Sequence, residues 1–155
     1  MDDPVKDAMV HLAEEQARTA EAMEQLARQL EGLVVDIAET AYIVLYDVLK
    51  RDFGWQVGVL ERAWQRWNSE PEEVTVFGQA TDPMRPERTI WIVGEAKYDL
   101  TLSEAERFAR QAARARRHLA GEVYAVCFAY RARPEVRAFL RDAVIPLVFS
   151  YDRFA

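Results

Sequence analysis

Glu95 and Lys97 stand two positions apart at the end of an apolar run, Ile90-Trp91-Ile92-Val93-Gly94-Glu95-Ala96-Lys97. The run reads as a buried strand, and side chains two apart on a strand point to the same face. A carboxylate and an ammonium at the end of such a strand are costly to bury unless something uses or solvates them. The carboxylate is a hard oxygen ligand for a divalent cation; the ammonium can orient a water or offset charge on a phosphate. Of the 20 basic residues only Lys6, Lys50 and Lys97 are lysines, so arginine is this chain's default cation. Lysine at 97 places a compact charge where a planar fork would not serve. The same two residues also read as a plain ion pair at a strand end, of small energetic weight.

Several elements must position this pair. From about Asp7 to Leu33 the chain is rich in Ala, Glu, Gln, Arg and Leu, with no Pro and no Gly before Gly32. That composition favours helix. A heptad frame puts Met9, Gln16, Met23 and Leu30 at one core position and Leu12, Thr19, Leu26 and Leu33 at the other. Residues 1–32 are therefore expected to form a helix that pairs with a second copy as a coiled coil, giving a homodimer; a surface helix lying on its own domain is the plainer alternative. Residues 33–155 are expected to form the domain proper. It begins with an apolar helical stripe (Val34, Ile37, Ala41, Val44, Leu45, Val48) that suits packing on a sheet. Residues Asp7 to Asp52 can form one helix.

After Phe53-Gly54 three strands are expected, at Gln56–Glu61, Glu73–Gly78 and Arg88–Lys97, as an antiparallel meander. Ser103 with Glu106 reads as a capping box opening a helix that runs to Leu119. A buried strand over Glu122–Tyr130 follows, then a short helix over Pro134–Asp142. The last strand, Ile145–Ser150, is placed at a sheet edge by Pro146. A strand–helix–strand ending implies right-handed crossovers and an α/β fold: a mixed sheet with helices on both faces.

Glu-x-Lys at the end of a central strand, within the order α-β-β-β-α-β, resembles the PD-(D/E)xK, or restriction-endonuclease-like, nuclease superfamily. The resemblance runs from about Leu33 to Ser150 and leaves out the N-terminal helix. It implies Mg²⁺-dependent hydrolysis of phosphodiester bonds in DNA or another nucleic acid, with Glu39, Glu95 and Lys97 as catalytic residues. Glu39 stands at the acidic position of the first helix, and Glu39 and Glu95 become metal ligands. The family's second strand carries Glu-x-Asp, where this chain has Glu73-Val74-Thr75. Thr75 thus replaces the central metal-binding Asp, which implies weak or lost catalysis. Glu73 is a third candidate ligand, expected on the same strand face as Thr75 and able to substitute only through a change of register; Asp82, in a loop, is a remoter one. Gln111 resembles a helix glutamine that some nuclease families place near the metal. Arg107, Arg110 and Arg114, with Gln111, form the expected nucleic-acid-binding edge; the arginines also read as a solvated helix face.

Composition narrows the alternatives. The net charge of −6 excludes a generic polyanion binder and confines any nucleic-acid contact to local basic surface. One cysteine, Cys127, lies in an apolar run, so neither a disulfide framework nor a Cys/His zinc pattern is present. No apolar run is long enough to span a membrane, and the acidic start is unlike a signal peptide, which makes the cytoplasm the expected location. A non-catalytic descendant of the nuclease fold, kept as a nucleic-acid-binding or assembly module, is the competing functional reading.

Overall fold

The computed structural model describes residues 4–151, and the side chains of all of these but 27 and 30–36. Contacts divide the chain into two units, Met1–Val35 and Asp36–Ala155. One helix, α1 (Pro4–Phe53), contributes to both. Along its first part every described side chain is exposed. Of the heptad residues, Leu30 and Leu33 lie outside the described side chains.

The second unit is built on a six-stranded sheet. Its strands are β1 (Gln56–Val57), β2 (Glu61–Gln65), β3 (Glu72–Thr81), β4 (Ile90–Leu100), β5 (Glu122–Ala132) and β6 (Leu147–Phe149). The order is β1-β3-β4-β5-β6, with β2 also on β3. β3 pairs antiparallel with β4, whereas β4–β5 and β5–β6 are parallel. Two helices, α2 (Leu102–His118) and α3 (Pro134–Asp142), make the crossovers. Ile37, Ala41, Leu45 and Leu49 of α1 pack on one sheet face with Val76, Ile92, Val126 and Phe128. Phe108 and Ala112 of α2, with Val136 and Leu140 of α3, pack on the other with Val93, Cys127 and Ala129. This is the expected α/β architecture, and Pro146 does precede an edge strand.

Three expectations are corrected. The first strand is broken: Gly58-Val59-Leu60 separates β1 from β2, and both halves pair with β3. The segment crosses so close to Gly78 that a Cβ there would lie 2.5 Å from the Val59 carbonyl oxygen. The capping box of α2 is Thr101 with Glu104, not Ser103 with Glu106. β4 runs to Leu100, so Thr101 is the first residue free to cap; its hydroxyl accepts from the Glu104 amide at 3.2 Å, and Glu104 accepts from the Thr101 amide at 3.1 Å.

The third correction matters most for the site. β2 and β3 pair as Glu61↔Phe77 and then Ala63↔Val74, so β3 spends one residue more than its partner. This is a β-bulge, and it inverts the alternation of side chains on one side of it. Val76 lies in the core beneath α1, whereas Val74 lies in the core beneath α2. Glu73 and Thr75, expected on one face, therefore point to opposite faces.

Candidate active site

The bulge sits where β3 and β4 part. Their pairing runs from Ala80↔Ile90 to Val76↔Gly94. One residue further, Thr75 and Glu95 meet through side chains: the Thr75 hydroxyl donates to Glu95 Oε1 at 2.9 Å. The Ala96 amide donates to the same oxygen, also at 2.9 Å. Bulged backbone leaves carbonyls that the ladder does not satisfy. Here side chains from the helix on each face supply the donors. The Tyr42 hydroxyl, from α1, donates to the Thr75 carbonyl at 2.9 Å. Gln111, from α2, donates to the Glu73 carbonyl at 2.9 Å. Burial pushes the Tyr42 pKa up; Arg62 opposes the rise, while Glu61 and Glu39 add to it. The hydroxyl is thus a donor at neutral pH.

Lys97 does not pair with Glu95. Its ammonium lies 3.3 Å from Glu104 Oε2, across the start of α2. Burial acts to raise the Glu104 pKa, but the Thr101 hydrogen bonds and the Lys97 charge outweigh it and hold it below the usual carboxylate range. Arg114 grips Glu72 with two hydrogen bonds, Nε to Oε2 at 3.0 Å and Nη2 to Oε1 at 2.8 Å. Gln111 adds a third at 3.2 Å. Hydrogen bonding from Arg114 holds the Glu72 pKa down. Glu73, on the other face, is paired with Arg62 of β2.

The residues expected in the site are thus distributed. Glu95 and Thr75 are brought together. Lys97 shares their face but serves Glu104. Glu39 is exposed on α1, where its charge reaches the Tyr42 hydroxyl. Of the expected nucleic-acid edge, Arg107 and Arg110 are exposed, whereas Gln111 and Arg114 are spent on β3. Asp82 is buried and accepts from the Met84 amide and the Arg85 guanidinium, so it organises its own turn. Glu72, Glu104, Tyr42 and Arg62 were not singled out from the sequence. Thr101-Leu102-Ser103-Glu104, a second capping pattern two residues before Ser103–Glu106, is the sequence signal for Glu104.

Mg²⁺ requires near-octahedral oxygen ligands, usually with more than one anionic group among them. Among the described residues no three His, Cys, Asp or Glu side chains converge as a metal site would need. At Thr75–Glu95 the donor set is one carboxylate, already accepting two hydrogen bonds, and one hydroxyl. That set does not fit the ion.

No protein-family model and no curated protein matches the sequence. Among solved structures, an EndoMS–dsDNA2 complex is similar with a TM-score of 0.52 and 13% identity, over 74% of this chain and 43% of that one. The fold is restriction-endonuclease-like. A repair endonuclease from Pyrococcus abyssi aligns with a TM-score of 0.45 and 9% identity, over 69% of this chain and 45% of that one. The chain thus spans less than half the length of either structure. Among the described residues no helix is long and apolar enough to cross a membrane.

Proposed function

We propose that this chain is a nuclease-fold protein in which Mg²⁺-dependent phosphodiester hydrolysis is weak or lost, retained as a nucleic-acid-binding module that self-associates through its N-terminal helix. The observation that carries the reading is the hydrogen bond from Thr75 to Glu95. A metal centre there would need a second carboxylate facing Glu95, and the chain has a neutral hydroxyl that donates to it instead. Arg107 and Arg110 offer exposed cations on the outer side of α2 for phosphate contact, and they are the only members of the expected edge not committed to β3. The DNA in the EndoMS complex supports, by analogy of fold, a nucleic acid as the partner.

The test is cleavage of plasmid DNA and of RNA with Mg²⁺ or Mn²⁺, alongside calorimetric titration of Mn²⁺. Wild type is expected to cleave little or nothing and to bind Mn²⁺ weakly. Thr75→Asp puts a carboxylate against Glu95 and is expected to tighten Mn²⁺ binding. Adding Glu95→Ala should remove that gain. Robust wild-type cleavage, abolished by Glu95→Ala, would refute the reading and make the protein an active nuclease.

A further inference from the structure

Among the described side chains of the first part of α1, the apolar ones are all exposed. Met9, Val10, Leu12, Met23 and Leu26 are each between 53 and 66% exposed. Most helical stability in proteins comes from packing an amphipathic face, so a helix left bare over several turns calls for a partner. Its pattern is self-complementary. Reversed about the midpoint of Gln16 and Thr19, it maps Met9 onto Leu26, Leu12 onto Met23, and Gln16 onto Thr19. The Thr19 hydroxyl donates to the Glu15 carbonyl of its own helix at 3.0 Å, so its oxygen remains free to accept. A facing Gln16 amide supplies the donor.

We infer that two copies pair through this helix in antiparallel orientation, an assignment that deepens the self-association proposed above and rests on it. Met9 of one copy then packs on Leu26 of the other, Leu12 on Met23, and the polar layer closes as two Gln16–Thr19 contacts. A parallel two-stranded pair favours β-branched residues at the first core position and Leu at the second. Here the second position does hold Leu12 and Leu26, but the first holds Met9, Gln16 and Met23, none of them β-branched. Flanking positions also carry no code for a parallel register. Between residues 8 and 29 they are Ala8, Ala13, Ala20, Ala22, Ala27 and Gln29, with Glu15 the one charge, and Glu15 is paired with His11 at 3.1 Å within its own helix. No like-charge row therefore opposes a second copy.

Spin labels on an Asp7→Cys variant of the full chain measure the orientation. Cys127 is fully buried, and burial raises its thiol pKa, so it stays unlabelled. In the antiparallel pair residue 7 faces residue 28 of the other copy, which separates the two labels by about 30 Å along the axis at 1.5 Å per residue. A parallel, in-register pair would hold them within about 20 Å, the width of two adjacent helices plus the labels. Sedimentation of the same sample at tens of micromolar should give a dimer, and Leu26→Glu should give a monomer. A short label distance would overturn the orientation while leaving association intact. A monomeric wild type would overturn both, without touching the loss of cleavage, which the plasmid assay reads separately.

Discussion

Replacing Arg114 by Met separates two roles that the sequence left open for α2. As a phosphate contact, Arg114 would be dispensable for stability. As the partner of Glu72 it is not. Its guanidinium makes two charge-assisted hydrogen bonds to a carboxylate, and the two side chains are only 22 and 17% exposed. Truncation leaves Glu72 largely buried with Gln111 as its remaining donor. Hydrogen bonds to charged groups contribute about 1.5–3 kcal/mol, and the loss here is expected at about 2–3 kcal/mol. For a chain of this size that lowers Tm by roughly 5–10 °C. Glu72→Gln in the Arg114→Met background removes the stranded charge and should recover part of the loss, giving a coupling energy of about 1–2 kcal/mol. The pH dependence carries a sign. The Glu72 pKa is depressed in the folded state, so its contribution is complete above the ordinary glutamate pKa, about 4.3, and disappears as pH falls through the lower folded value. Arg114→Met should therefore flatten the acid limb of the stability curve. Urea unfolding at several pH values and salt-dependent DNA binding by fluorescence anisotropy form the assay. A variant as stable as wild type but weaker on DNA would refute the argument and return Arg114 to the phosphate-binding edge.

Two smaller changes test the surrounding frame. Val144, at the C-terminus of α3, is a β-branched residue at φ 57°, with its amide on the Arg141 carbonyl and the Ile145 amide on the Leu140 carbonyl. Such a cap favours glycine, so Val144→Gly is expected to stabilise by about 1 kcal/mol, read as a higher urea midpoint; an unchanged or lower midpoint would count against strain there. Lys97→Met should cost no more than about 1 kcal/mol, because the pair with Glu104 is partly exposed and Thr101 continues to hold that carboxylate. A loss of several kcal/mol in thermal melts would mean that Lys97 neutralises more than Glu104.

The element order was legible because each element carries its own local signal. Pro134 marks the start of α3, and the β-branched run of β5 marks a buried strand. The pairing of Glu95 with position 75 was legible too, since period-two alternation and an antiparallel meander bring those positions opposite one another. The destination of Glu73 was not. A bulge is a register choice made between strands, and nothing in Glu-Val-Thr-Val distinguishes a bulged strand from a regular one. The partner of Lys97 was hidden for a related reason. β4 outran its expected end by three residues, which moved the cap of α2 to Thr101 and brought Glu104, rather than Glu95, to the ammonium. Arg114 shares the helical spacing of Arg107 and Arg110, and periodicity reports a face without reporting what stands opposite it.

The arrangement of charge supports the proposed weakness or loss of a metal centre. A metal centre crowds carboxylates around one cation, and without the cation their mutual repulsion raises at least one pKa. Here four carboxylates near the bulge have separate partners: Glu72 with Arg114, Glu73 with Arg62, Glu104 with Lys97, and Glu95 with the Thr75 hydroxyl. Glu72 and Glu104 are shifted down, the direction that pairing produces and crowding opposes. The bulge and Thr75 belong to one solution. By turning Glu73 to the α1 face, the bulge removes the remaining acid that strict alternation would have placed beside Thr75. By donating to Glu95, Thr75 satisfies the carboxylate that is left. Together they make the split between β3 and β4 a hydrogen-bonded clasp between two central strands, while Gln111 and Arg114 tie α2 to β3 beside it.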